Sequence, residues 1–206
     1  MSENILCSVS DLSKSYGRQQ ILDECQLEIN EGEFIGLVGE NGSGKTTFLK
    51  CLLGFTKPTS GEVKYNCSLG YCPQDNVLNN KLSVIEHFRF IETIYKKRYH
   101  IDRMFVDSLI EKFKLETYLD KLICNLSSGT YQKIKLMTAL YHKPDLLLLD
   151  EPYDGFDWQM YNVFWEYIRE FKNKNTGILM ISHFVFENDK FDKIYELKDR
   201  KLELNE

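Results

Sequence analysis

The chain has 206 residues, of which 43% are hydrophobic and 28% charged, a composition typical of a globular protein in water. Its formal net charge is −5, so we expect no nucleic acid among its partners. No secretory signal opens the chain, and no apolar run is long enough to span a bilayer. Six scattered cysteines without zinc-type spacing favour reduced, buried or half-buried thiols. We expect a single domain over residues 1–206, without direct membrane insertion.

The first part of the chain has the pattern of short strands. Alternating apolar residues over 5–29 predict two or three antiparallel strands, and the uninterrupted apolar run at 34–38 predicts a buried strand. A helix is predicted at about 47–53. Brief strands are predicted at 62–65 and 69–72.

From about residue 83 to residue 143 apolar residues recur at helical spacing, which predicts several helices. Strands return at 146–149 and 178–181, and an amphipathic helix is predicted between them at 161–171. A hairpin over 193–204 closes the chain.

A glycine-rich loop of the form GxxxxGK[ST] stands between the first buried strand and the helix that follows it. Such glycines let the backbone N–H groups form a concave nest that faces phosphate oxygens. We expect Lys45 to reach the β- and γ-phosphates and the Thr46 hydroxyl to ligate Mg²⁺. The predicted nucleotide-binding residues are Gly39, Glu40, Asn41, Gly42, Ser43, Gly44, Lys45, Thr46 and Thr47.

Two adjacent carboxylates follow the apolar strand at 146–149. Parallel sheets place their ligands at the carboxyl ends of the strands, where these two acids stand. Asp150 suits the coordination shell of Mg²⁺, directly or through water, and Glu151 suits the orientation or deprotonation of an attacking water.

Apolar strands that alternate with helices favour an α/β fold, here a P-loop NTPase core with a mostly parallel sheet. We predict that residues 1–73 and 144–206 form the nucleotide-binding core, together with an N-terminal antiparallel β subdomain. Residues 74–143 are predicted to form an inserted α-helical subdomain.

With these motifs, the chain resembles the nucleotide-binding subunit of an ABC transporter nearly from end to end. The resemblance implies that ATP and Mg²⁺ are bound and that ATP is hydrolysed. It also implies three further roles. Tyr16 stacks on adenine, Gln74 touches Mg²⁺ or the attacking water, and His183 contacts the γ-phosphate.

The segment Leu126-Ser127-Ser128-Gly129-Thr130 is similar to the signature of this family, usually Leu-Ser-Gly-Gly-Gln. In the family, the residues matching Ser127, Ser128 and Gly129 act in trans on ATP held by an opposing subunit. Asp157 matches a residue that communicates across the dimer. The resemblance therefore implies a second ABC ATPase domain as partner, in a homodimer or a pair with a related chain.

Several residues depart from the family pattern. Ser128 replaces a glycine, Thr130 a glutamine, and Lys133 stands where arginine is common. The loop after Glu151 carries bulkier or more acidic residues than usual, and Trp158 stands where proline is frequent. We expect active but slower hydrolysis.

The stretch from residue 70 to residue 95 resembles subunits that pair with export-type permeases. This implies an integral membrane permease as partner, and a cytoplasmic location on the inner face of the cell membrane through that permease. The aromatic residues of the region suit either a groove for a helix of the permease or packing within the helical subdomain: Phe88, Phe90, Tyr95 and Tyr99.

Two other functions are weighed. A soluble ABC ATPase of an assembly or maintenance complex would share every motif named above. A small-molecule kinase would share the phosphate loop but would not need the signature and the paired acids together.

Overall fold

The computed structural model describes residues 4–153, 155–182 and 190–205. The strands in these ranges are β1 (Ile5–Tyr16), β2 (Gln19–Asn30), β3 (Phe34–Val38), β4 (Ser60–Tyr65), β5 (Leu69–Cys72), β6 (Leu146–Asp150), β7 (Gly177–Ile181), β8 (Lys193–Lys198) and β9 (Lys201–Asn205). The helices are α1 (Lys45–Leu52), α2 (Val84–Tyr95), α3 (Arg103–Lys112), α4 (Ser128–Leu140) and α5 (Trp158–Asn173). No helix among these residues is both long enough and apolar enough to cross a bilayer.

The strands form two sheets. The six-stranded sheet has the order β5-β6-β7-β3-β8-β9, in which every neighbouring pair is parallel except the closing hairpin of β8 and β9. The three-stranded sheet has the order β2-β1-β4 and is antiparallel. Helices α2, α3 and α4 lie in the chain between β5 and β6. This confirms the predicted fold class, while the boundaries proposed for the subdomains stay predictions.

Apart from Asp150 at the end of β6, strands β3, β6 and β7 carry only apolar residues and glycine, because both faces of the parallel sheet are covered. Leu147 and Leu149 of β6 join a hydrophobic cluster with the helical segment and α5. Leu146 and Leu148 of the same strand join a second cluster with α1 and the antiparallel sheet. Strands β3 and β7 divide their side chains between the same two clusters. The uninterrupted runs in the sequence thus reflect burial on two sides.

Side-chain caps set the starts of two helices, and α5 begins three residues before its predicted start at 161. Helix α4 begins at Ser128 because the Ser127 side chain caps it by accepting from the Thr130 amide. Helix α5 begins at Trp158 because Asp157 Oδ1 accepts from the Met160 amide at 2.7 Å.

The aromatic residues of the helical segment have different environments. Phe88 is buried with 2% exposure and packs near Tyr141, so this residue belongs to the core and not to a surface groove. Tyr95 stacks on His142 at a centroid distance of 4.2 Å. Phe90 is exposed.

All six cysteines are free thiols. Four are buried and Cys67 is half-buried, as the sequence predicts. Cys124 is exposed, which contradicts that expectation, because it lies in a short surface turn before α4.

Candidate functional site

The phosphate loop connects the end of β3 to the start of α1. Gly39 adopts a φ of 150°, and a Cβ atom there would lie 2.7 Å from the Leu197 carbonyl oxygen. Only glycine therefore permits the loop to pack against the end of β8. The Lys45 side chain folds back onto the loop, where its Nζ donates to the carbonyl oxygens of Gly39 at 2.6 Å and Glu40 at 3.0 Å.

A cavity of about 490 Å³ opens beside this loop. It brings together residues from the antiparallel sheet, the phosphate loop, the segment after β5, and the ends of β6 and β7. Its lining residues are Tyr16, Ile21, Asn41, Gly42, Gly44, Lys45, Thr46, Thr47, Gln74, Asp150, Glu151 and Ile181.

One buried cation and two buried acids face each other at this cavity. Burial lowers the pKa of Lys45, and the carboxylates of Glu151 and Asp150 oppose that shift by favouring the ammonium form. Lys45 is 6% exposed, Asp150 4% and Glu151 5%, so the three charges interact in a poorly hydrated environment.

The turn that carries Glu151 has a constrained backbone. Glu151 has a φ of 50°, in the left-handed region, and its amide donates to the Ile181 carbonyl at 3.2 Å. The amide group of Gln132, on α4, donates to the Pro152 carbonyl at 2.8 Å. Non-glycine residues adopt this conformation rarely, and such positions concentrate at functional sites.

Gln74 lines the cavity, and its backbone carbonyl group is held by α4. The buried Nζ of Lys135 donates to the carbonyl oxygens of Pro73 at 2.7 Å, Gln74 at 2.8 Å and Asp75 at 3.3 Å. No motif in the sequence marks Lys135, and its one signal is a charged residue placed directly between Ile134 and Leu136 on a helix.

The signature residues lie apart from the cavity lining. Ser127 and Ser128 are exposed at the N-terminus of α4. A Cβ atom at Gly129 would lie 2.7 Å from the carbonyl oxygen of Gly155, so this glycine permits close contact between α4 and the loop before α5. Asp157 caps α5.

Most predicted nucleotide-binding residues therefore meet at one cavity. Gly39, Glu40 and Ser43 do not line it; the first two support Lys45 through their carbonyl groups. His183 lies outside the described residues. The apolar lining residues Ile21 and Ile181 belong to no motif, so the sequence alone does not identify them as part of the site.

The oxygen-bearing side chains at the cavity suit a magnesium ion. Thr46, Gln74 and Asp150 offer a hydroxyl, an amide and a carboxylate oxygen at the same cavity. Mg²⁺ prefers oxygen ligands and is commonly held by one or two carboxylates together with phosphate oxygens. These residues therefore fit the ion as a set.

Several known proteins have sequences similar to this one. The family described as ABC transporter matches residues 22–154, more than half of the chain. ABC transporter G family member 23 of Dictyostelium discoideum is 35% identical over 98% of this chain and 31% of its own length. Zinc import ATP-binding protein ZnuC of Hydrogenovibrio crunogenus is 34% identical over 89% of this chain and 74% of its own. Nod factor export ATP-binding protein I of Cupriavidus metallidurans is 31% identical over 90% of this chain and 65% of its own length. The chain spans less than a third of the first relative.

Solved structures share the fold. One described as the ATP binding subunit of an ABC transporter superposes with a TM-score of 0.87 at 27% identity, over 96% of this chain and 88% of that one. A dimeric bacterial ABC transporter cassette superposes with a TM-score of 0.85 at 22% identity, over 96% of each chain. Joined to the phosphate loop and the paired acids at one cavity, these matches establish that the chain belongs to the ABC transporter family, as an ATP-binding cassette.

Proposed function

We propose that this chain binds ATP with Mg²⁺ and hydrolyses it as the ATPase subunit of an ABC transporter whose permease is a separate chain. One observation carries the proposal. Lys45 of the phosphate loop lines the same cavity as Asp150, which ends β6, and Glu151, which follows it.

Binding begins with the loop residues 39–47. The Lys45 ammonium exchanges the carbonyl oxygens of Gly39 and Glu40 for oxygens of the β- and γ-phosphates, and the loop amides hold the same phosphates. Tyr16, half exposed at the rim of the cavity, stacks on the adenine.

Hydrolysis uses the acids and Gln74. Glu151 accepts a proton from the water that attacks the γ-phosphorus, and the bond to the β–γ bridging oxygen breaks, which releases ADP and phosphate. Thr46, Asp150 and Gln74 would hold Mg²⁺, which neutralises charge on the phosphate oxygens when it is bound. His183 is assigned to the γ-phosphate by the sequence resemblance.

The site is proposed to be completed by a second cassette. The signature residues Ser127, Ser128 and Gly129 do not line the cavity of their own chain. Ser127 and Ser128 are exposed at the N-terminus of α4, where backbone N–H groups favour the binding of an anion. This arrangement supports a role in trans. Gly155, in the loop that leads to Asp157, lies against Gly129. The dimeric cassette found among the solved structures has a closely similar fold.

A membrane permease is the proposed third component, which would place the chain on the inner face of the cell membrane. Phe90 and Ile94 are 56% and 49% exposed and stand four residues apart on α2, a spacing that suits a helix packed across them. Relatives carry names of both zinc import and Nod factor export. The resemblance of residues 70–95 favours export.

The replacement Glu151→Gln tests the chemistry. We expect steady-state hydrolysis to fall about 100-fold or more, because the amide cannot accept the proton, while ATP binding is retained. Release of phosphate and binding of a fluorescent ATP analogue are measured side by side. Lys45→Ala is the matched variant that should lose binding. Hydrolysis by Glu151→Gln at the wild-type rate would remove Glu151 from the mechanism.

Copurification from membranes tests the transport assignment. Recovery of an integral membrane protein with the tagged chain supports the proposal. Recovery of partners from the water-soluble fraction alone would favour the assembly or maintenance ATPase instead.

A further inference from the structure

Lys135 is a buried lysine whose ammonium group is directed at the backbone of one short segment. The residue is 3% exposed, and its Nζ donates to three consecutive carbonyl oxygens, those of Pro73, Gln74 and Asp75. An ammonium group has three N–H donors, so it can donate to all three of these carbonyl oxygens. Because three successive carbonyl groups converge on the same ammonium group, Lys135 fixes the backbone over three residues, and not only at one atom.

A second side chain of α4 holds the other end of this segment. Tyr131, one turn before Lys135, accepts a hydrogen bond from the Leu78 amide at 2.8 Å. The two side chains lie on the same face of the helix because they are four residues apart. Helix α4 therefore holds the chain both at 73–75 and at residue 78, and Gln74 within this segment lines the cavity.

The same helix also contacts the backbone of Glu151, the residue proposed to accept the proton of the attacking water. Gln132 donates to the carbonyl oxygens of Pro152 at 2.8 Å and Glu151 at 3.4 Å. One rigid element thus contacts the backbone of both Gln74 and Glu151, the two groups proposed to flank the attacking water.

We infer that Lys135 is a positioning residue for ATP hydrolysis: it fixes the Gln74 backbone on the helix that also fixes the Glu151 backbone, so that the amide and the carboxylate keep a constant relative position. This rests on the proposed function. Lys135 touches no reacting atom, and its role is exerted through Gln74.

Lys135→Met tests the inference, because methionine has a similar length but neither charge nor donors. We expect the kcat for ATP to fall about 10- to 30-fold while KM changes less than about twofold, as for loss of an interaction made in the transition state. The Mg²⁺ concentration that supports half-maximal binding of a fluorescent ATP analogue should rise about fivefold, since Gln74 is a proposed ligand of the ion. Lys143→Met, which removes an exposed lysine just beyond the other end of α4, is the matched control and should leave both quantities unchanged.

A double-mutant cycle separates positioning from general destabilisation. If Lys135 acts through Gln74, the variant Gln74→Ala/Lys135→Met should hydrolyse ATP no more slowly than Gln74→Ala alone. Multiplicative losses of rate would overturn the inference. If Lys135→Met does not fold, Lys135→Arg keeps the charge but alters the donor geometry, and the same cycle applies to it.

Hydrogen exchange of the amides over residues 74–78 gives a readout that needs no hydrolysis. Exchange should be faster in Lys135→Met than in the wild type, because the anchor is lost. Unchanged exchange would overturn the inference even if the chain hydrolyses ATP. Absence of ATP binding and hydrolysis in the wild type, with faster exchange in the variant, would instead overturn the proposed function and leave only the anchoring of residues 73–75 by Lys135.

Discussion

At the scale of single residues, Thr130 shows what a departure from the family pattern does. Its hydroxyl oxygen lies 2.9 Å from Ser127 Oγ, and its amide donates to the same oxygen at 3.3 Å. The Ser127 hydroxyl is therefore engaged within its own chain. In the proposed pair, it must give up or share this contact before it can bind ATP held by the partner.

Thr130→Val removes only the hydroxyl and keeps the amide that caps α4. We expect ATP hydrolysis to rise about two- to fivefold, because one hydrogen bond of about 1 kcal/mol no longer competes for Ser127. Steady-state phosphate release at saturating ATP measures the effect. Thr93→Val, which removes the hydroxyl that bonds to the Arg89 carbonyl on α2, is the control. An unchanged or lower rate would show that the Ser127–Thr130 contact does not limit turnover.

The sequence identifies residues whose role is carried by a motif and overlooks those that act through the fold. Lys45, Asp150 and Glu151 stand in motifs whose spacing alone defines their chemistry. Lys135 and Gln132 bind backbone carbonyl groups far away in the chain, and no periodicity or spacing reports such contacts. Polar residues on a helix are ordinarily exposed, so their burial could only be seen in the structure.

At the scale of secondary structure elements, the strands were the most predictable part. The runs at 146–149 and 178–181 are apolar throughout because both faces of the sheet are covered, and β6 and β7 follow them closely. Helix starts were less predictable. Ser127 and Asp157 begin α4 and α5 through side-chain hydrogen bonds that apolar spacing does not register.

The packing of α2 on α4 includes a buried histidine, which makes this contact sensitive to pH. His87 is 5% exposed, and its Nε2 lies 3.0 Å from Thr138 Oγ1. Burial lowers the pKa of His87 to about 4, because the charged form loses hydration. The neutral ring is thus favoured in the folded chain, and the unfolded chain binds the proton more readily.

The free energy of unfolding should therefore fall as the pH drops from about 6.5 towards about 4, with a total contribution from His87 of about 3 kcal/mol. Above pH 7 the contribution is constant. Urea unfolding of the wild type and of His87→Gln at several pH values isolates the effect, since all other titrating groups are shared. The variant should lose less stability over this range, and parallel curves would contradict the expected pKa.

At the scale of the whole molecule, the separation of the signature from the cavity predicts self-association under defined conditions. With ATP and Mg²⁺, the Glu151→Gln variant should change from a monomer to a dimer. Bound ATP is no longer hydrolysed, so it stays between the phosphate loop of one chain and the signature of the other. Sedimentation velocity measures the mass with and without ATP. Adding Lys45→Ala to the variant should abolish the change. A monomer at every concentration would exclude a homodimer and direct the search to a related chain.

The side chains of β6 and β7 are divided between two hydrophobic clusters, and this division affects how cooperatively the molecule unfolds. Alternate residues of each strand enter opposite clusters, so neither cluster can lose a strand without the other losing it as well. The antiparallel sheet and the helical segment are therefore mechanically linked through the middle of the molecule, although they contribute to different clusters. Unfolding of the described residues should be cooperative, with both clusters lost in a single step.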